Sequence, residues 1–157
     1  MKSIIRIVPL FLMMLLSVQV FSKIRPTHAS YIEADFRQTR TQALFDVPQT
    51  MTGKFTYTAP DIVTWKYDNG IEAELPKEML RFISKAVSGE YLKNNTEFDV
   101  EQNGDVAILT PKKRQIKQFF KEIQIVFNPL TGFAREVLMV EATDDVTKIE
   151  FFNMDTK

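Results

Sequence analysis

Residues 53–67 read GKFTYTAPDIVTWKY, and this stretch decides the fold. Its first half alternates apolar with polar residues, namely Gly53, Phe55 and Tyr57 against Lys54, Thr56 and Thr58. Its second half repeats the alternation with Val63, Trp65 and Tyr67 against Thr64 and Lys66. Successive side chains of a strand point to opposite faces, so each half predicts a strand with one apolar face. Ala59-Pro60-Asp61 between them predicts a turn, which makes the two strands antiparallel neighbours.

The same alternation continues on both sides of this stretch. Ile32, Ala34 and Phe36 alternate with charged residues upstream. Downstream turn signals stand at Asn103-Gly104-Asp105, Asn128 to Gly132 and Asp144-Asp145. Asn69-Gly70 and Asn103-Gly104 predict type I′ hairpin turns, because both residue types tolerate a positive φ. Short turns join sequentially adjacent strands, so we predict eight or nine strands in one antiparallel sheet.

One segment has a helical period instead. Between Pro76 and Ser88 the apolar residues form one stripe of a helix, made of Met79, Leu80, Phe82, Ile83, Ala86 and Val87. Pro76 suits the first helical turn, and Gly89 suits the stop. A weaker helical patch at 116–123 is equally well interpreted as a bulged entry into a strand. The predicted fold class is mainly β with α: a curved antiparallel sheet with a helix against its concave face.

Several late strands are apolar on both faces, at 123–127, 137–140 and 149–152. A sheet that faces water on one side does not have this pattern. Two interpretations follow: the strands pack in two layers around an ordinary core, or the concave face forms an apolar chamber. The alternation alone favours the packed core.

The first 22 residues predict a cleaved secretory signal peptide. Lys2 and Arg6 precede an uncharged apolar run from Ile7 to Phe21, and small residues follow it. The alternative is an N-terminal membrane anchor, since the run approaches the length of about 20 residues that spans a bilayer. We expect export to the periplasm, with residues 23–157 forming a single domain.

The remaining chain excludes some classes of function. It holds 18 basic and 20 acidic residues, which gives a net charge of −2. This charge produces no positive electrostatic field that would attract nucleic acid. It has no cysteine and one histidine, His28, and it lacks a nucleophile elbow, a P-loop and a dinucleotide fingerprint. We predict no enzyme, no metal site and no cofactor. A hydrolase built on two converging carboxylates stays open as a third hypothesis, although nothing singles out a pair.

The basic run Lys112-Lys113-Arg114 has two interpretations. The simpler one is a solvated loop. The functional one is a docking site for an acidic partner or for anionic headgroups.

An ordered series of landmarks resembles the LolA-like outer-membrane lipoprotein carrier family. The series covers nearly the whole chain after residue 22: Phe36-Arg37-Gln38, Gly53-Lys54-Phe55-x-Tyr57, Pro60-Asp61-x-x-x-Trp65-x-Tyr67, Asn103-Gly104-Asp105, Leu109-Thr110-Pro111-Lys112 and Thr147-x-Ile149-x-Phe151-x-Asn153. The resemblance implies an incomplete half β-barrel closed by a helix, whose apolar cavity holds acyl chains of lipoproteins or other lipids. It also implies transfer across the periplasm, from an inner-membrane releasing complex to an outer-membrane acceptor.

The resemblance also implies a ligand-binding site. Trp65 matches a cavity aromatic of the family, and its neighbours on the predicted wall are Phe36, Phe55, Tyr57 and Tyr67. The predicted lid residues are Met79, Phe82, Ile83 and Val87.

The sequence departs from the family at Ala59, where better-studied carriers have Arg, and the region before the helix is too short for the usual strand pair. The family's gating mechanism therefore does not transfer, and the cargo need not be a lipoprotein. The alternative function is an envelope binding or sensor module with the same fold and no transported lipid.

Overall fold

The computed structural model describes residues 29–60, 62–71, 77–88 and 95–157. The predicted signal peptide, His28, Pro76 and Gly89 lie outside these residues.

The described residues form eight strands and two helices. The strands are β1 (Tyr31–Gln42), β2 (Phe45–Thr58), β3 (Ile62–Tyr67), β4 (Phe98–Asn103), β5 (Val106–Pro111), β6 (Phe120–Phe127), β7 (Ala134–Glu141) and β8 (Val146–Thr156). The helices are α1 (Lys77–Val87) and α2 (Arg114–Lys117), which lie before β4 and after β5.

All eight strands belong to one antiparallel sheet with the order β3-β2-β1-β8-β7-β6-β5-β4. The predicted fold class is therefore confirmed: a mainly β protein with an open, curved antiparallel sheet and few helices. Most neighbours in the sheet are also neighbours in sequence. The exception is the pairing of β1 with β8, in which Phe36 lies opposite Phe151 and the first and last described strands meet.

The turns agree only in part with the predicted chemistry. Asn103-Gly104-Asp105 does join β4 to β5, but the central residues are Gly104 and Asp105, and of these two only Gly104 has a positive φ, of 60°. A glycine with positive φ at the first central position is typical of a type II′ turn, so the type I′ prediction is wrong here. Asn69-Gly70 lies in a tight turn, in which the Tyr67 N–H donates to the Ile71 carbonyl at 3.2 Å and Gly70 has a φ of 81°, and the residues that would continue a second strand, 72–76, lie outside the described chain.

The weak helical patch resolves into both of its alternatives. Ile116 lies in the single turn of α2, whereas Phe120 and Ile123 lie in β6. A register shift between Phe120 and Glu122 marks the bulged entry into that strand.

The sheet curls strongly around its inner face. Trp65 on β3 and Phe151 on β8 are three strands apart, which is about 14 Å on a flat sheet. Their ring centroids lie only 6.5 Å apart. Inward-facing side chains therefore converge, and every second residue along most strands is buried on this face.

Gly53 allows the tightest of these approaches. It pairs with Phe36 on one side and Tyr67 on the other, so it lies between β1 and β3 on the inner face. The Phe36 ring crosses β2 at this point and stacks on Trp65, with ring centroids 3.8 Å apart. A Cβ at position 53 would overlap the Lys66 carbonyl oxygen and lie 2.7 Å from the Phe36 ring.

Helix α1 lies across the concave face, as predicted, and contacts both β3 and β7. Its buried side chains are Phe82, Ile83, Ser84, Ala86, Val87, all at most 5% exposed. The two serine hydroxyls near its end, Ser84 and Ser88, donate to carbonyls of the preceding turn and need no partner from the sheet. The helix is therefore held to the sheet mainly by apolar contacts.

We expect Gly53→Ala to lower the free energy of unfolding by about 2–3 kcal/mol, because the added methyl group displaces the Phe36 ring and the β3 backbone. Urea unfolding followed by circular dichroism measures this change. Gln49→Ala, at an exposed position of the same strand, is the control. Equal free energies of unfolding for both variants would show that the space next to the Gly53 Cα can accept a methyl group.

Candidate functional site

The inner face carries a continuous group of rings, which we call the inner aromatic cluster: Phe36, Phe55, Trp65, Tyr67 and Phe151. Besides the Phe36–Trp65 stack, Phe55 meets Trp65 at 5.9 Å and Phe151 at 5.4 Å between ring centroids. Tyr67 meets Phe36 edge-on at 5.6 Å. Such edge-on and offset contacts are the favoured geometries of aromatic rings.

Four of the five predicted wall residues belong to this cluster. The fifth, Tyr57, is buried on the same face of β2, and its hydroxyl donates to the Pro60 carbonyl at 3.1 Å. Phe151 was not predicted as a site residue. The alternation Thr147-x-Ile149-x-Phe151 places it on the inner face, but only the pairing of β8 with β1 brings it to the other rings.

The lid residues contact a second aromatic group. Phe82 of α1 lies 5.7 Å from Phe98 and 5.6 Å from Phe120, measured between ring centroids. Ile83 and Val87 are each 1% exposed beneath the same helix. The backbone of Met79 belongs to α1, but its side chain lies outside what the structure describes. Phe98 and Phe120 are contacts that the sequence did not predict.

The cluster has one satisfied polar contact at its border. The Tyr67 hydroxyl donates to Gln38 Oε1 at 2.9 Å, and Gln38 is itself buried. Burial of an amide is tolerated when such a partner is present.

Trp65 is different, because its indole N–H is buried without an acceptor among the described residues. Buried donors of this kind are rare, and each costs about 1–3 kcal/mol. The unpaired donor lies in the apolar cluster, at a residue that the sequence had already assigned to the wall.

The site is closed in this conformation. Seven of the nine predicted residues are at most 8% exposed, Tyr67 is half-buried, and the ninth is Met79. The side chains of the chain itself pack against one another beneath α1.

The outer face is polar and carries paired charges. Asp35 accepts hydrogen bonds from the Asn153 amide at 2.8 Å and from Lys54 Nζ at 3.1 Å, and these two partners hold the pKa of Asp35 below its usual value. Lys148 lies 3.3 Å from both Glu136 and Glu150. No group of three acidic or histidine side chains in the described ranges is arranged to hold a metal ion. Neither described helix is long and apolar enough to span a membrane.

Fold and site together define a class: an open, curved antiparallel sheet whose aromatic inner face is covered by an amphipathic helix. No protein-family model matches the chain. No curated protein matches it in sequence.

The chain has weak likenesses to several solved structures. A DUF1329 family protein from Desulfovibrio piger is 11% identical, with a TM-score of 0.30 over 82% of this chain and 86% of that one. The MucA/MucB complex of Pseudomonas aeruginosa is 10% identical, with a TM-score of 0.38 over 79% of this chain and 52% of that one. A Vibrio parahaemolyticus domain assigned to outer membrane lipoprotein sorting is 11% identical, with a TM-score of 0.32 over 82% and 86%. At these values the likenesses establish neither a family nor a function for this chain.

We expect Tyr67→Phe to lower the free energy of unfolding by about 1–3 kcal/mol, because it leaves the buried Gln38 amide without its donor. The double variant Tyr67→Phe/Gln38→Leu removes both polar partners and should recover most of that loss. Urea unfolding of wild type, both single variants and the double variant gives the coupling energy. Strictly additive effects would show that the hydrogen bond does not stabilise the cluster.

Proposed function

We propose that the protein is a non-enzymatic periplasmic carrier, which binds acyl chains of lipoproteins or other lipids on its inner face and moves them from the inner to the outer membrane. The observation that carries the proposal is the unpaired indole N–H of Trp65 within an aromatic cluster on the face of the sheet that α1 contacts. An ester or amide carbonyl at the head of an acyl chain would supply the missing acceptor. The chain itself would occupy apolar surface that needs no specific contact.

The architecture allows α1 to open without damage to the sheet. The strands are joined to one another by ladders of backbone hydrogen bonds that do not include α1. Displacement of the helix therefore leaves these ladders intact. A helix that is released in this way exposes the inner aromatic cluster while the binding wall keeps its shape.

The free energy lost when α1 leaves the sheet and the free energy gained when an acyl chain is buried in its place are of similar size. Exposure of Phe82, Ile83 and Val87 costs roughly 5–9 kcal/mol, at about 1.5–3 kcal/mol for each large apolar side chain. Burial of about a dozen methylene groups of an acyl chain returns roughly 10 kcal/mol, at about 0.8 kcal/mol each. A carrier needs this near-balance, because cargo that is bound much more tightly would not be released.

The buried polar side chains support a role without catalysis. In the described residues they are Gln38, Ser84, Ser88 and Thr147, none of which is acidic. Several carboxylates of the described outer face pair with cations, as Asp35 does with Lys54. This arrangement offers no support for the hypothesis of a hydrolase with two converging carboxylates.

The closed interior favours a second candidate, an envelope binding or sensor module with no transported lipid. In that case the inner aromatic cluster is an ordinary core, and the outer surface binds a protein partner. The two candidates differ in whether a lipid reaches Trp65.

Trp65 is the single tryptophan of the chain and therefore reports on the interior directly. We expect a fatty acid with bromine atoms on its acyl chain to quench Trp65 fluorescence in a saturable manner, because bromine quenches on contact. The control is Trp65→Phe/Leu130→Trp, which moves the only indole to an exposed turn between β6 and β7. Its emission should change little.

Mass spectrometry of protein purified from the native periplasm without detergent gives an independent measurement. Co-purified lipid released on denaturation would support the carrier. Absence of lipid, together with equal quenching of both tryptophan positions, would contradict the carrier and leave the binding module.

A further inference from the structure

One end of the sheet gathers exposed apolar side chains and a cluster of cations. At this end β1 turns into β2, β5 continues through α2 into β6, and β7 turns into β8. The exposed apolar residues there are Leu44, Phe45, Val47 and Phe119. The cations are Lys112, Lys113, Arg114 and Lys117. We call these eight residues the basic rim.

The apolar and cationic parts of the basic rim flank one short turn. On one side of the β7–β8 turn, the Ala142 N–H donates to the Phe119 carbonyl at 2.8 Å. On the other side, the Ala43 N–H donates to Asp145 Oδ1 at 3.0 Å, one residue before Leu44. Segments that are about 70 residues apart in sequence are therefore fixed next to each other.

The charge at the basic rim is only partly neutralised. Lys112 pairs with Asp99 at 2.7 Å, and Lys113 approaches Glu97 at 3.7 Å. No described carboxylate pairs with Arg114 or Lys117. Arg114 also lines an open depression of about 510 Å³ together with Lys113, Gln115 and Gln118.

Acidic groups beside the rim are already engaged. Asp144 pairs with Lys121, and Asp145 accepts from Arg40 at 2.9 Å. The hairpin tip itself contains one acidic residue, Asp46. The cations of α2 and the apolar tip lie at the same end of the sheet.

The apolar residues project as a narrow tip. Pairing between β2 and β3 ends at Gly53 opposite Tyr67, and beyond the hydrogen bonds of Thr52 with Asp68 no described strand pairs with β2 on that side. Leu44 is 89% exposed and Val47 is 76% exposed. A projecting tip of this kind suits insertion into a soft interface better than contact with a flat protein surface, which requires about 800 Å² of complementary area from each partner.

We propose that the basic rim is a docking surface for a lipid bilayer that contains anionic lipids. Leu44, Phe45 and Val47 enter the boundary between headgroups and acyl chains, to a depth of about 5–10 Å. Arg114 and Lys117 meet the phosphate groups, and the Gln-lined depression beside them holds a headgroup. This surface function stands apart from the proposed cargo, because none of its residues lies in the inner aromatic cluster.

The test is co-sedimentation of the purified protein with vesicles, with the same N-terminus in every variant, checked by intact mass. We expect binding to vesicles of phosphatidylglycerol and phosphatidylethanolamine, and little binding to phosphatidylcholine alone. Leu44→Ser/Phe45→Ser should weaken binding by at least about tenfold, since two apolar side chains lose their insertion. Arg114→Gln/Lys117→Gln should weaken it about fivefold per cation, and added salt should do the same.

The opposite end of the sheet provides matched controls. Leu130→Ser changes a side chain that is 93% exposed in the β6–β7 turn, and Arg135→Gln/Lys157→Gln removes two cations at that end. Both controls should bind like wild type.

Three results would overturn the proposal. The first is no binding to either kind of vesicle. The second is an equal loss in the rim variants and their controls, which indicates general adsorption. The third is a loss with the charge variant alone, which indicates electrostatic adsorption to the anionic vesicle surface without insertion of the apolar tip. Circular dichroism melting of each variant separates these results from unfolding.

Discussion

The stack of Phe36 on Trp65 across Gly53 is the contact on which the rest of the inner face depends. A side chain at position 53 would push these rings apart, because the Phe36 ring occupies the place of its Cβ. With the ring in that place, β1 and β3 carry one continuous aromatic surface although β2 lies between them. Phe151 reaches the same surface from β8, and the four strands curl together as a result. Curvature in this half of the sheet is therefore a consequence of side-chain packing as much as of strand twist.

The sheet and the helix α1 are held in place by different kinds of interaction. The sheet is joined by backbone hydrogen bonds along every strand, whereas α1 is held by Phe82, Ile83 and Val87 and by a long ion pair of 3.9 Å between Arg81 and Glu97. Elements with few directional bonds open at lower free energy than a strand ladder. The unpaired N–H of Trp65 adds a cost to the closed state that a bound acceptor would remove. Both features make the interface between α1 and the sheet the part of the molecule that is best suited to open.

Sequence patterns predicted what is local and missed what depends on distant pairing. Alternation at 53–67 and the apolar stripe of α1 specify a strand pair and a covering helix, and both are present. Phe151 could not be assigned to the cluster, because no local signal indicates that β8 lies beside β1. The type of the turn at Gly104 depends on register, which an Asn-Gly pair does not fix by itself. The basic run at 112–114 was ambiguous for the same reason, since its position next to the tip at Leu44 follows only from the order of the strands.

Phe119 and Phe120 connect the two surfaces that we propose to be functional. Phe119 is half-exposed at the basic rim, and its ring centroid lies 6.4 Å from that of Phe120. Phe120 is buried and packs against Phe82 of α1 at 5.6 Å. One ring, that of Phe120, therefore separates Phe119 at the basic rim from the contact between Phe82 and the sheet. In the proposed docked state, the end of the sheet at which Phe82 packs against Phe120 would face the membrane. Opening of the helix at that end would release an acyl chain directly toward the bilayer, without passage of its apolar surface through water, which costs about 0.8 kcal/mol for each methylene group exposed.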